Sequence, residues 1–171
     1  FLLVRKIFVN HIGEIKANAI ALVSSFFLIV IPSLLPRTIA GIPEKEASGF
    51  FFLFLAFYLF LSAWQASSSK GQIIYSIFAG FATAGMALVW GGFIYIFITL
   101  AFAVFIAFIL GQVNKNKFYL YSIWLLSSTV LMFLFSLRYS ITSILASTTT
   151  GLAIAVFFIL LINFILFETR Y

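Results

Sequence analysis

The sequence predicts an all-α, polytopic integral membrane protein: about six transmembrane helices, an N-terminal interfacial helix, and both termini inside. Three observations carry that expectation. Charged residues are only 8% of the 171 and hydrophobic ones 64%, against about 25% charged and about half apolar in a soluble domain. Apolar runs of membrane-crossing length recur along the chain, given that a hydrocarbon core of about 30 Å takes about 20 helical residues. These runs do not alternate apolar and polar with period two, as residues 50–61 (FFFLFLAFYLFL) illustrate, so helices are favoured over a β-barrel.

Residues 1–16, FLLVRKIFVNHIGEIK, place Phe1, Val4, Phe8, Ile12 and Ile15 on one helical face, with Arg5 and Lys6 elsewhere. That pattern suits an amphipathic segment lying along the inner membrane surface. Residues 17–171 then form a single six-helix transmembrane domain. The first span covers about residues 17–35, with Pro32 and Pro36 at its far end, where a missing N–H and ring clash stop or kink a helix. Gly41 and Pro43 break the following loop. The second span is 49–64.

Residues 73–110 are 38 uncharged residues in one run, or roughly 57 Å as a helix, nearly twice the bilayer core. The chain must reverse inside it. Gly91–Gly92, after Trp90, is the expected turn, because glycine reaches positive φ without penalty. Two spans result, 73–89 and 93–110. The fifth is 118–137 and the sixth 151–167. Between them RYSITSILASTTT is rich in Ser and Thr, with room for an interfacial half-turn.

An even span count with an inside start puts Arg5, Lys6, Lys16, Lys70, Lys115, Lys117 and Arg170 inside, and Arg37, Lys45 and Arg138 outside. That distribution obeys the positive-inside rule. The net charge of +6 is thus read as flanking charge facing lipid headgroups, with no nucleic-acid partner.

The expected spans hold no Asp, Glu, Lys, Arg or His. Such groups mark proton paths, voltage sensors and ion sites in membranes, so those functions are disfavoured. There is no Cys, His11 is the sole histidine, and there is no Asp. Thiolate metal sites, bis-histidine haem, Ser-His-Asp catalysis and paired-aspartate proteolysis are therefore excluded for this chain. VWGGF lacks the lysine and spacing of a phosphate loop. The reading is no enzyme, no catalytic residue, no metal and no cofactor. Glu44 and Glu46, flanking Lys45 in a loop, are read as solvated charges, with cation or partner binding the lesser alternative.

Two groups of residues remain as candidates. Ala79, Gly80, Thr83, Ala84 and Ala87 form a small-residue stripe on the third span, which lets another helix, of this chain or of another subunit, approach closely. Ser127, Ser128 and Thr129 in the fifth span and Asn163 in the sixth, with Ser24 and Ser25 in the first, either bond locally between and within helices or line a polar pocket. Tyr58, Trp64, Tyr95, Tyr119, Tyr121 and Trp124 are expected to include headgroup anchors. The functional expectation is a non-catalytic integral subunit that packs and stabilises a larger membrane complex, such as a respiratory or other energy-converting assembly. Its partners would be other transmembrane subunits and membrane lipids, in a prokaryotic plasma membrane or an organelle inner membrane. The alternative is a small-solute transporter or its membrane-embedded substrate-binding component, which requires the polar residues to converge near mid-membrane.

Overall fold

The computed structural model describes residues 1–32, 36, 44–136 and 139–168. Every regular element among them is helical: α1 (Leu2–Ile12), α2 (Glu14–Val30), α3 (Lys45–Gln65), α4 (Ser69–Val89), α5 (Ile94–Ile109), α6 (Lys115–Phe135), the short α7 (Ile141–Ala146) and α8 (Thr148–Asn163). A 3-10 turn, Gly91–Phe93, leads into α5, and a π turn, Phe164–Glu168, follows α8. Arg37, Gly41, Pro43, Arg138 and Arg170 lie outside the described residues.

Five helical stretches are long and apolar enough to cross a membrane: Lys45–Gln65, Ser69–Val89, Gly91–Ile109, Lys115–Phe135 and Thr148–Leu166. They coincide with the second to sixth expected spans. The first is represented by α2, whose 17 residues extend roughly 26 Å.

Local chemistry sets several boundaries. Ser68 caps α4 by accepting from Gly71 N at 3.2 Å, and Asn114 caps α6 by accepting from Lys117 N at 3.1 Å, which satisfies backbone donors that a helix start leaves open. Gly111, at φ 69°, stops α5, while Gln112 N turns back to Ala107 O at 2.9 Å; this is the use of a left-handed glycine at a helix C-terminus.

Two expectations change. The 1–16 segment is not one helix, because Gly13 at φ 80°, ψ 168° separates α1 from α2. That conformation is close to glycine-only, and it hands Ile15 to α2. Arg5 then ties the two helices, donating to Asn18 Oδ1 at 2.8 Å and pairing with Glu14 at 2.5 Å. The Gln65 amide also donates to the Lys6 carbonyl at 3.4 Å, linking α1 to the end of α3.

The second change concerns the reversal at Gly91–Gly92, which uses no positive φ; among the described residues only Gly13 and Gly111 have one. Gly92 is needed for space. A Cβ there would stand 2.2 Å from the Trp90 ring, and a Cβ on Gly49 of α3 would meet the same ring at 2.9 Å.

The bundle centres on α4, which packs between α3 and α6, while α5 packs on α8. The inward face of α4 is small apart from Met86: Ser76, Ala79, Gly80, Ala82, Thr83, Ala84 and Ala87 are buried with it. Its outward face carries exposed Phe78, Phe81 and Leu88. Bulk outward and small residues inward is the arrangement lipid favours, since helices there associate by close packing rather than by escape from water.

Candidate functional site

The deepest polar contacts surround Trp124, fully buried in α6. Its Nε1–H donates to Thr83 Oγ1 of α4 at 3.0 Å, and Thr83 donates onward to the Ala79 carbonyl at 2.8 Å. Its indole meets Phe60 of α3 edge-on at 5.5 Å and Phe97 of α5 at 5.3 Å. Tyr121 donates to the Ala153 carbonyl of α8 at 2.9 Å, and Tyr139 to the Ala87 carbonyl of α4 at 2.8 Å. Helix carbonyls have a second lone pair free for such bonds. Tyr121 and Trp124 are therefore core residues and not headgroup anchors. Tyr95 and Tyr119 are exposed, and Tyr58 and Trp64 half-buried.

The small-residue stripe seats a helix of the same chain. A Cβ on Gly80 would lie 1.9 Å from Ser127 Oγ and 3.0 Å from the Ser128 backbone nitrogen. Ala79, Thr83, Ala84 and Ala87 are buried beside it.

The polar pocket candidates do not converge. Ser127 donates to Ile123 O at 2.7 Å, Ser128 to Leu125 O at 3.0 Å and Thr129 to Leu125 O at 2.7 Å, all on their own helix. Asn163 ends α8. Its neighbour Phe164 stacks on Phe118 at 5.1 Å, which places Asn163 about ten residues, or roughly 15 Å, along α6 from Ser128. Ser25 likewise donates to Ala21 O at 2.7 Å.

No group of three or more His, Asp or Glu side chains comes together among the described residues. Glu44 precedes α3 and Glu46 lies in its first turn, where negative charge complements the helix dipole. The hollows are lateral and apolar. One of about 450 Å³ lies between α1, α2 and α3, and includes Ser24, Ser25, Phe51 and Tyr58. A second of about 450 Å³ runs between α1, α3 and α5, past Ile7, Phe57, Trp64, Leu100 and Gln112. A third of the same size lies over α6, α7 and α8. Their volumes are those of small-ligand sites, and their walls suit hydrocarbon. What this arrangement offers is close helix packing and seats for apolar chains.

The fold and these hollows define a multi-pass helical membrane domain with apolar lateral grooves. Residues 3–170 match the family described as Oligosaccharyl transferase STT3, N-terminal, and the chain belongs to that family. It is 27% identical over 160 residues, 92% of its length, to the rice (Oryza sativa subsp. japonica) dolichyl-diphosphooligosaccharide–protein glycosyltransferase subunit STT3B. It is 25% identical over 117 residues, 68% of its length, to the corresponding STT3 subunit of Saccharomyces cerevisiae, and 24% over 118 residues, 69% of its length, to that of Dictyostelium discoideum. The chain spans only 21%, 16% and 16% of those relatives.

This overturns two expectations. The chain is not read as a non-catalytic subunit of an energy-converting complex or as a transporter, because its family and relatives are glycosyltransferases. The expectation of no enzyme falls for the same reason. Both rested on the lack of ionisable groups in the spans, and a chain covering about a fifth of its relatives cannot speak for the remaining length.

Proposed function

We propose that this chain is membrane-embedded scaffold of an oligosaccharyl transferase, a protein that moves an oligosaccharide from a dolichyl-type lipid diphosphate to a protein acceptor. The observation that carries this is the family match across residues 3–170, which takes in every described helix from α2 to α8. The physical fit is consistent. A lipid-borne donor must be met in the membrane, and this bundle offers five membrane-length helices. The stripe Ala79, Gly80, Thr83, Ala84 and Ala87 serves that scaffold by seating α6 on α4, with Ser127 against Gly80.

Within the same reading, α2 is a sixth span, α1 lies along the basic membrane face, and both ends of this stretch sit on that face. The relatives are named as subunits, which supports work beside other transmembrane subunits. Relatives from rice, yeast and slime mould lend no support to a prokaryotic plasma membrane or an organelle inner membrane in particular.

The test is oligosaccharide transfer from a dolichyl-diphosphate donor to an acceptor peptide by the intact protein in membranes, read as glycopeptide by mass spectrometry. Glycopeptide that appears with the protein and vanishes without it is the expected result. A folded, membrane-inserted protein that binds donor and acceptor yet forms no glycopeptide would sink the reading.

A further inference from the structure

The second hollow has a polarity gradient that the scaffold role does not use. Its walls are Phe57, Phe60, Leu61 and Trp64 of α3, Thr99 to Ala107 of α5, and Leu3 and Ile7 of α1. It closes on Gln112, just past the end of α5. At that same end Lys117 Nζ stands 3.8 Å over the Trp64 ring, a cation–π contact that fixes the ammonium at the groove mouth. The backbone of Lys6 is fastened there by Gln65.

This end of the bundle also carries Arg5, Lys16, Lys70 and Lys115. Of the acids at this end, Glu14 is paired with Arg5, and Glu168 ends the turn after α8. The other acids with described side chains, Glu44 and Glu46, lie at the opposite end of α3, roughly 30 Å away along its 21 residues. The groove is thus an apolar slot with a cationic rim.

Its polarity selects the occupant: the apolar walls suit a hydrocarbon chain, and the Lys117 ammonium over the Trp64 ring of that wall suits an anionic headgroup. We infer that this groove binds an anionic phospholipid of the bilayer, with its acyl chain between α3 and α5 beside α1 and its phosphate at Lys117. Attraction between basic residues near a membrane surface and anionic headgroups favours these over zwitterionic ones. The inference does not depend on the glycosyltransferase reading, and its readout is lipid retention rather than transfer.

The experiment is native mass spectrometry of the intact protein, delipidated and then offered phosphatidylglycerol or phosphatidylcholine with identical acyl chains. The expected result is one retained phosphatidylglycerol, with phosphatidylcholine held at least about ten-fold less. Lys117→Gln should lower phosphatidylglycerol retention about ten-fold, Lys117→Arg should preserve it, and Lys70→Gln should leave it unchanged. Ala103→Phe, at an exposed groove wall, should remove retention by filling the slot; if that variant fails to fold, the Lys117 pair still decides. Equal retention of the two lipids overturns the inference. So does a Lys117→Gln variant that behaves as wild type, a Lys70→Gln loss as large as that of Lys117→Gln, or displacement of phospholipid by a polyprenyl phosphate.

Discussion

Trp124 and Gly80 carry the sharpest residue-scale consequences. Trp124 joins α3, α4 and α5 through two ring contacts and one hydrogen bond. Interhelical hydrogen bonds in membranes average about 0.6 kcal/mol in double-mutant cycles. A cycle of Trp124→Phe against Thr83→Val, followed by unfolding in detergent, should return a coupling of about that size; a coupling of zero would mean that the 3.0 Å contact contributes nothing. Gly80→Leu forces atoms into Ser127 and the α6 backbone, and overpacking of this kind costs typically about 1–3 kcal/mol. The expected outcome is a lower melting temperature of the chain itself. A variant that keeps its melting temperature but loses other subunits would instead place a foreign helix on the stripe. The sequence made the stripe visible, because small residues four apart are legible. It did not disclose which helix they receive, since that depends on the fold around them.

Element boundaries followed rules the sequence displays, with one exception. The proline-free apolar runs became α3, α4, α5, α6 and α8 at nearly their expected places. Gly13 was the exception. It interrupts a periodic apolar face, and nothing in FLLVRKIFVNHIGEIK forces a break there until Arg5 can reach Glu14 and Asn18. A Cβ on Gly13 would meet nothing within 4 Å, so Gly13→Ala tests backbone conformation alone. At φ 80° the expected cost is about 1–3 kcal/mol, read by thermal unfolding. A fully tolerated alanine would show that α1 and α2 can join into one helix without loss.

For the whole molecule, the charge distribution predicts sidedness. Lys70 and Lys115 stand at one end of the bundle, and Lys45 and Ser140, all exposed, at the other. The chain has no Cys, so single cysteines at Asn10, Lys45, Lys70, Lys115 and Ser140 can be labelled with an impermeant maleimide from each side. Positions 10, 70 and 115 should react from one face, and 45 and 140 from the other. Labelling of 45 and 70 from the same face would remove α3 from the membrane and break the arrangement.

The sequence by itself determined the class: an all-helical membrane bundle, its span positions and its basic edge. Those follow from hydrocarbon thickness and the cost of burying charge, which act on local composition. Only the tertiary structure decided that Tyr121 and Trp124 turn inward, that Ser127, Ser128 and Thr129 bond back within α6, and that Gly92 serves the Trp90 ring rather than a positive φ. Each of these depends on which helices become neighbours. In lipid, where apolar surface is equally content on every side, that choice rests on side-chain fit and paired polar groups between residues far apart in the chain.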